Sequence, residues 1–357
     1  MQLVELGWDA TLGQQFETWA GTPGLQPGRV VVEFNHIFRV YVEGGELEAV
    51  LAGRLKHRAA SRSELPSVGD WVVVRTQNEG TLAAIVAVLS RRSCFSRKMA
   101  GDVTAEQVVA ANVDVVFLVM ALDADFSPRR LERYLLLARE SGAAPVVLLT
   151  KPDLSGNVAA QKEETVAVAG GVPVHVVSPK GGEGLDGVTA YLTPGTTCAL
   201  LGSSGVGKST LINRLAGGDI QRTREVRTSD SKGRHTTAHR ELVVLSRGGL
   251  VIDTPGMREL QLWDVGSAVA QTFDDVEGFA SGCHFSDCRH RDEPRCAVKT
   301  AVLDGRLTAD RLASYLKLGD ELRFLASRQD ERAEIESKRQ ARIIGKAIKQ
   351  HQKLRKR

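Results

Sequence analysis

The sequence lacks the features that mark secreted, membrane-spanning or disulfide-rich proteins. Its first residues have neither the basic nor the apolar region of a signal peptide. Its longest apolar run, Val115 to Leu122, is far shorter than the roughly 20 residues that span a membrane. The five cysteines are an odd number and do not fit a complete set of disulfides. We therefore expect a cytoplasmic protein that does not enter a membrane.

The chain also has little net charge, but its basic residues are unevenly distributed. The net charge of +4 includes nine lysines and arginines between residues 338 and 357, a stretch without aspartate or glutamate. The rest of the chain is therefore mildly acidic. A basic tail of this kind is typical of proteins that contact a polyanion, most often a nucleic acid, and equally of a solubilising helix end.

The first third of the chain has the pattern of a small β-domain. Residues 28 to about 89 hold five short runs of β-forming residues, which favours a barrel of the oligonucleotide-binding (OB) type. Between two runs, Arg54 to Arg58 and Arg62 predict a basic loop that either contacts nucleic acid or is simply solvated. A polar, basic linker would follow from Arg91 to about Gly101.

From residue 113 onward, apolar runs alternate with helical patterns. Val113 to Met120 is typical of a strand buried on both faces, and Ser127 followed by Pro128 predicts the start of a helix. Further strands are predicted at residues 145–149, 172–177, 197–201, 240–245 and 250–252. This alternation predicts a three-layer, doubly wound α/β domain.

The strand at residues 197–201 leads into the pattern G-x-x-x-x-G-K-S, and a helical pattern follows it. In this setting the backbone N–H groups and the helix N-terminus point at a phosphate chain. Lys208 would reach the β- and γ-phosphates, and Ser209 would bind Mg²⁺. The predicted phosphate-binding residues are Gly202, Ser203, Ser204, Gly205, Val206, Gly207, Lys208, Ser209 and Thr210.

Two segments upstream of this loop are candidates for recognition of the base. Thr150, Lys151, Pro152 and Asp153 match N-K-x-D with threonine in place of asparagine. The Asp153 carboxylate can accept hydrogen bonds from N1–H and the 2-amino group of guanine, donors that adenine lacks. Ser178 opens a second loop, at the end of the next strand, whose backbone would face the guanine O6.

Two segments downstream are candidates for the switches that sense the γ-phosphate. Asp253 and Gly256 match D-x-x-G, in which the aspartate holds Mg²⁺ through water. Either Thr236 or Thr237 would complete the Mg²⁺ shell, so the predicted Mg²⁺ ligands are Ser209, Asp253 and one of these threonines, with Thr237 preferred. His235 would position the attacking water or would simply pack in its loop.

Three of the five cysteines and a histidine form a predicted metal site. Cys283, Cys288, His290 and Cys296 suit tetrahedral Zn²⁺, and four protein ligands make the site structural rather than catalytic. His284 is a poorer candidate because it adjoins Cys283. Cys94 and Cys198 are interpreted as packing residues.

Together, the phosphate loop, the upstream T-K-x-D, D-T-P-G and C-x₄-C-x-H-x₅-C resemble the ribosome small-subunit-dependent GTPase A family of bacteria. The base-recognition elements precede the phosphate loop, which is the order of a circularly permuted GTPase. The resemblance implies an OB barrel, a permuted GTPase domain, a zinc domain, and GTP hydrolysis stimulated by the small ribosomal subunit during its late maturation. The family's switch resembles G-R-H-T-T-T, and its third threonine is Ala238 here.

The predicted domains are a lead-in over residues 1–27, the OB barrel over 28–100, the permuted GTPase domain over 101–268, and a helical zinc domain with a basic tail over 269–357. The predicted function is a GTP hydrolase that binds ribosomal RNA as a monomer. Hydrolysis should be intrinsically slow, because Met257 stands where many GTPases have the glutamine that orients water. An RNA-binding assembly chaperone with a vestigial nucleotide site and an ATP-dependent enzyme are the alternatives. The intact Lys208 and Ser209 argue against the first and Asp153 against the second.

Overall fold

The computed structural model describes residues 2–76, 82–98, 106–218, 240–246, 248–253, 269, 272–323 and 327. The chain divides into two compact units, Met1–Gln261 and Leu262–Arg357. Among the described residues, no helix combines the length and the apolar character needed to cross a membrane.

The first unit begins with a closed five-stranded barrel, as predicted. Its strands are β1 (Leu25–Phe34), β2 (Ile37–Val42), β3 (Gly45–Leu51), β4 (Trp71–Arg75) and β5 (Ala83–Val88). They follow the order β1-β2-β3-β5-β4, and β4 pairs back with β1 to close the barrel. Val30, Phe38, Val40 and Ile85 fill its interior. Gly28 lies at a crowded point of the wall, where a Cβ would approach Val40 Cγ1 to 2.5 Å.

The predicted basic loop is wrong, because residues Gly53–Arg58 form helix α2. The segment contains leucine, lysine and arginine, which are good helix formers, and no β-branched residue. Leu55 packs against the barrel core and anchors the helix. The basic side chains Arg54, Lys56, His57 and Arg58 remain exposed on this helix.

The predicted linker at residues 91–101 is also wrong over part of its length. Strand β6 (Cys94–Lys98) pairs antiparallel with β7 (Glu106–Ala111) in a separate two-stranded sheet. Phe95 is buried, although the segment also contains Arg92 and Arg97. Pairing with a later strand is a non-local interaction, so the polarity of the segment does not reveal it.

The lead-in is ordered structure. A 3₁₀ helix (Leu3–Leu6) is followed by helix α1 (Ala10–Phe16), whose N-cap Asp9 accepts a hydrogen bond from the N–H of Leu12 at 2.9 Å. The Trp8 ring packs edge-on against Trp71 of the barrel, with a centroid distance of 4.9 Å. The N-terminal segment therefore belongs to the barrel's packing.

A second group of strands forms the predicted α/β domain. Strands β8 (Val115–Ala121), β9 (Ala144–Thr150), β10 (Val174–Val177), β11 (Thr197–Leu201), β12 (Glu241–Val244) and β13 (Leu250–Asp253) take the order β10-β9-β8-β11-β13-β12. All neighbours are parallel except β12 and β13. The helices are α3 (Pro128–Ser141), α4 (Val158–Ala169), α5 (Asp186–Thr189) and α6 (Lys208–Ala216). Ser127 caps α3 as predicted, accepting from the N–H of Arg130.

The barrel and the α/β domain share one sheet of 11 strands. Strand β1 pairs with β12 at Val32 and Glu241, and Arg39 reaches the Glu241 carboxylate at 3.3 Å. A fully buried arginine on β1, Arg29, makes a second link between distant segments by donating to the carbonyls of Leu6, Gly69 and Asn112. Burial lowers the pKa of Arg29 to about 10. These contacts fix the barrel to the domain that carries the phosphate loop.

The second unit is mostly helical where it is described. Helices α7 (Asp274–Ala280) and α8 (Ala297–Leu303) are followed by helical residues 309–323. The Arg311 guanidinium lies 4.3 Å from the Phe273 ring centroid and pairs with Asp275, and the Tyr315 hydroxyl donates to Glu277 at 2.8 Å. The basic tail from residue 338 lies outside the described residues.

Candidate nucleotide site and metal centre

The predicted phosphate loop connects β11 to α6 and has the backbone of an anion cradle. Gly205 and Gly207 have φ values of 77° and 97°, a left-handed conformation that favours glycine. Gly202 is required for another reason, because a Cβ there would lie 2.3 Å from the carbonyl oxygen of Val119 on β8. The loop leads directly into the N-terminus of α6, where an anion is favoured.

The lysine of this loop contacts the loop's own backbone. Lys208 Nζ donates to the carbonyl oxygens of Gly202 and Ser203, both at 2.6 Å. Both acceptors belong to the segment that would wrap a phosphate chain. Ser209 and Thr210, the next two residues, are exposed at the first turn of α6. The arrangement places one ammonium group and two hydroxyls beside the cradle.

A residue of the predicted guanine loop is tied directly to the phosphate loop. Thr150, the last residue of β9, is fully buried, and its Oγ1 donates to the carbonyl oxygen of Val206 at 2.6 Å. Threonine therefore holds the two loops together at the position where the pattern usually has asparagine. The sequence indicated the substitution but not this contact.

The remainder of the guanine loop turns sharply after Thr150. Lys151 has a left-handed backbone, with φ of 55°, and its Nζ donates to Asp123 Oδ2 at 2.8 Å. This hydrogen bond is the main reason that the pKa of Asp123 is lowered. Asp153 lies in a 3₁₀ turn, Pro152–Leu154, with its side chain exposed. Its carboxylate is therefore accessible to a ligand.

The second predicted base loop lies beside the first. Val177 pairs with Thr150 across β10 and β9, so Ser178 follows at the same edge of the sheet. The Ser178 N–H donates to the Glu183 carbonyl at 2.9 Å, its Oγ accepts from the N–H of Gly181 at 3.2 Å, and its carbonyl accepts from Gly182 at 2.7 Å. These bonds close a compact loop next to Lys151.

Asp253 lies at the corresponding edge near the phosphate loop. It ends β13, which runs parallel to β11 with Ile252 opposite Ala199. The predicted Mg²⁺ ligands Asp253 and Ser209 therefore follow neighbouring strands. His235, Thr236, Thr237, Gly256 and Met257 lie outside the described residues.

Sequence reasoning missed an arginine that contacts the phosphate loop. Arg130 on α3 donates to Ser203 Oγ at 2.8 Å and to Asp125 Oδ1 at 2.9 Å. Hydrogen bonding to Arg130 lowers the pKa of Asp125 and keeps this carboxylate ionised. The S-P signal located the start of α3 but does not show which of its side chains faces the loop.

The predicted metal ligands converge in the second unit. The ligand atoms of Cys283, Cys288, His290 and Cys296 all lie within 4.8 Å of one another. Cys283 Sγ lies 3.6 Å from His290 Nδ1 and 3.9 Å from Cys296 Sγ, and His290 Nδ1 lies 3.4 Å from Cys296 Sγ. A tetrahedral Zn²⁺ site requires separations of about 3.8 Å between two sulfurs and about 3.6 Å between sulfur and nitrogen. The cluster therefore fits a metal ion of this size and geometry.

The loop that carries these ligands is held by its own polar groups. The Glu293 carboxylate accepts from the N–H groups of Arg289 at 3.0 Å and Arg291 at 2.8 Å, on either side of His290. Backbone N–H groups, including that of Glu293 itself, lower the pKa of Glu293 to about 2. The alternative ligand His284 is not in the cluster, and its ring packs edge-on against Phe285.

The two remaining cysteines are in a different environment, in the first unit. Cys198 is buried in the core of the α/β domain, and burial raises its pKa to about 12. Cys94 is half-buried on β6, and burial raises its pKa to about 11. Both are therefore protonated thiols at neutral pH, which agrees with their interpretation as packing residues.

Comparison with known proteins gives a consistent result. A family model described as RsgA GTPase matches residues 88–263. The small ribosomal subunit biogenesis GTPase RsgA of Opitutus terrae is 49% identical over 92% of both chains, and that of Syntrophotalea carbinolica is 42% identical over 96% of both. The crystal structure of YjeQ from Thermotoga maritima is 29% identical, with a TM-score of 0.62 over 84% of this chain and 98% of that one. The structure of YloQ, a circularly permuted GTPase, has a TM-score of 0.59 and covers 85% of this chain and 97% of that one. Its sequence identity is 24%, so this similarity is one of fold.

Proposed function

The chain belongs to the RsgA family of GTPases, and from this premise we propose that it assists late maturation of the small ribosomal subunit. It would hydrolyse GTP to GDP and phosphate, and the subunit would stimulate this hydrolysis. The observation that carries the proposal is the hydrogen bond from Thr150 to Val206, which joins a guanine-type loop to a phosphate loop. The relatives named above carry the words small ribosomal subunit biogenesis in their names.

We assign the phosphate chain of GTP to the loop from Gly202 to Thr210. When nucleotide binds, Lys208 would exchange its hydrogen bonds to the loop carbonyls for the β- and γ-phosphates. The guanine base would contact Asp153, with Thr150, Lys151 and Pro152 forming its loop. Ser178 would complete the base pocket from the neighbouring strand.

Ser209, Asp253 and Thr237 or Thr236 would hold Mg²⁺, which neutralises developing charge on the phosphates when it is bound. His235 would orient the attacking water, because methionine at position 257 has no group that can do so. We therefore expect the intrinsic reaction to be slow and the bound subunit to stimulate it.

We assign Zn²⁺ to Cys283, Cys288, His290 and Cys296, since three thiolates and one imidazole at tetrahedral separations suit that ion. All four positions are protein ligands, so the ion would stabilise the second unit. We further propose that residues 28–100 and 269–357 are the RNA-contacting domains on either side of the GTPase domain, residues 101–268. Residues 1–27 form a lead-in, and the protein acts in the cytoplasm as a monomer.

GTP turnover measured with and without purified small ribosomal subunits tests this function. We expect turnover to rise on addition of subunits for GTP and not for ATP, and Lys208→Ala to abolish it. Large ribosomal subunits at the same concentration are the control for non-specific binding. Subunit binding without any turnover would contradict the proposal and favour an RNA-binding assembly chaperone.

A further inference from the structure

A cavity of about 610 Å³ lies beside the barrel, away from the phosphate loop. It is bordered by the β1–β2 turn, the end of β3, helix α2 with the residues after it, and strand β7. Its volume falls within the range of about 300–1,000 Å³ that is usual for small-molecule and nucleotide pockets. Nothing in the proposed GTPase mechanism uses it.

The lining of the cavity divides into an apolar part and a polar part. Val50, Leu51 and Leu65, all half-buried, contribute apolar surface, which suits the faces of a planar ring. The Gln107 amide on β7 and the Ser61 hydroxyl after α2 add hydrogen-bonding groups to the lining. Arg97 Nε donates to Gln107 Oε1 at 3.3 Å and thereby orients this amide. Such a lining can bind a nucleobase by its face and by its edge.

Positive charge is concentrated at the rim. Lys56 and Arg62 line the cavity and are exposed, and Arg240 donates to the carbonyl oxygen of Val108 on its wall at 3.2 Å. The pKa of Arg240 is lowered first by burial and then by the nearby charge of Arg97, with a smaller contribution from Arg62. Glu33 is the acidic residue of the lining and partly offsets this charge. The net excess of cations favours an anionic ligand.

The basic surface continues outside the cavity along α2. Arg54, His57 and Arg58 are exposed on this helix and do not line the cavity. A free mononucleotide needs cations only around its own phosphate, whereas a polynucleotide has a phosphate at each residue along its backbone. Barrels of this type bind single strands with a positively charged surface that follows the phosphate backbone, and the exposed cations of α2 supply such a surface beside the cavity.

We propose that this cavity binds one unpaired nucleotide of single-stranded RNA, with the base inside and the adjoining phosphates on Lys56 and Arg62. The inference rests on the proposed function, in which the barrel contacts ribosomal RNA, and it adds the location of a specific base pocket. Contacts to phosphate would position the strand, and the cavity would select an unpaired residue.

The inference is tested by fluorescence anisotropy with the full-length protein and a labelled oligouridylate of about ten nucleotides. This length lies within the usual site size of such barrels. Ala60→Trp fills the cavity from an exposed position without changing the charge, and Ala20→Trp is its control on a surface outside the lining. We expect Ala60→Trp, which would exclude the base from the cavity, to weaken RNA binding about tenfold, and Ala20→Trp to leave it unchanged. Circular dichroism and GDP binding verify that each variant is folded.

The charge contribution is tested by a second pair of variants. Arg62→Gln should weaken binding and reduce the slope of log K against log salt by about 0.7, as expected for the loss of one phosphate contact to a single strand. Arg75→Gln removes the same charge from an exposed barrel position outside the lining and should change binding and slope less. Equal effects of the two would mean that only the overall charge attracts RNA, and would overturn the inference.

Two further outcomes separate this inference from the proposed function. If Ala60→Trp binds RNA as tightly as the wild type while subunits still stimulate GTP turnover, the cavity proposal is wrong and the GTPase proposal stands. In a competition assay, free UMP and unlabelled oligouridylate are compared at equal concentrations of nucleotide. If UMP displaced the labelled RNA as well as oligouridylate does, the cavity would be a mononucleotide site and the RNA assignment would be overturned.

Discussion

Replacing Thr150 by valine removes one hydroxyl and keeps nearly the same shape, so it tests the link between the two nucleotide loops. Thr150 is fully buried, Val206 is 3% exposed, and the hydrogen bond between them measures 2.6 Å. Without the hydroxyl, a buried carbonyl oxygen loses its donor, at a cost of about 1–3 kcal/mol. If this cost falls on the conformation that binds nucleotide, the Kd for GDP rises by about 5- to 150-fold.

The assay is titration with a fluorescent GDP analogue, together with urea unfolding of each nucleotide-free variant. Thr150→Ser keeps the donor and should bind GDP nearly as the wild type does. Thr165→Val is the matched control, because Thr165 is also fully buried and its hydroxyl donates to a carbonyl, that of Gln161, at 2.7 Å within α4. It should lower stability without changing the Kd for GDP. If Thr150→Val affected the Kd no more than Thr165→Val, the proposed role of Thr150 would be refuted.

Three further changes test other parts of the site. Asp153→Asn should weaken GTP binding by about hundredfold or more, since the amide presents a donor to guanine N1–H and the 2-amino group; competition by ATP measures the loss of base preference. Cys288→Ser should reduce the metal content of the purified protein well below one equivalent by elemental analysis, whereas Cys94→Ser, outside the cluster, should leave it unchanged. Gly202→Ala should abolish GDP binding because of the backbone that its Cβ would meet, whereas Gly53→Ala, with open space around it, should be tolerated in the same titration.

The elements with strong local signals were predictable from the sequence. The strands of the barrel and of the α/β domain have regular apolar patterns, and the start of α3 has both an N-cap serine and a proline. The cluster of Cys283, Cys288, His290 and Cys296 was predictable because its ligands are close in sequence and chemically distinctive. In each of these cases, a short segment contains the information that determines its structure.

What the sequence did not reveal depends on contacts between distant segments. Strand β6 forms because β7 pairs with it, and α2 is anchored by one leucine on the barrel. Likewise, Thr150 contacts a residue 56 positions later in the chain. The burial of Arg29 could not be predicted from composition, because arginine is rarely buried without hydrogen-bonding partners. Its partners are carbonyls of three separate segments, which only the folded chain brings together.

The order of strands in the large sheet has a consequence for how the chain emerges during its own synthesis. Within the α/β domain, strands β8, β9 and β10 are made first and can pair with one another. The other neighbour of β8 is β11, and the end of β11 at Leu201 is made 80 residues after the end of β8 at Ala121. At translation rates of about 5–20 residues per second, that edge stays unpaired for roughly 4–16 s. Strand β8 is wholly apolar, so during this interval its open edge is prone to wrong association. Placing the base loops before the phosphate loop thus imposes a waiting time on folding, which slow translation would lengthen and chaperones would have to cover.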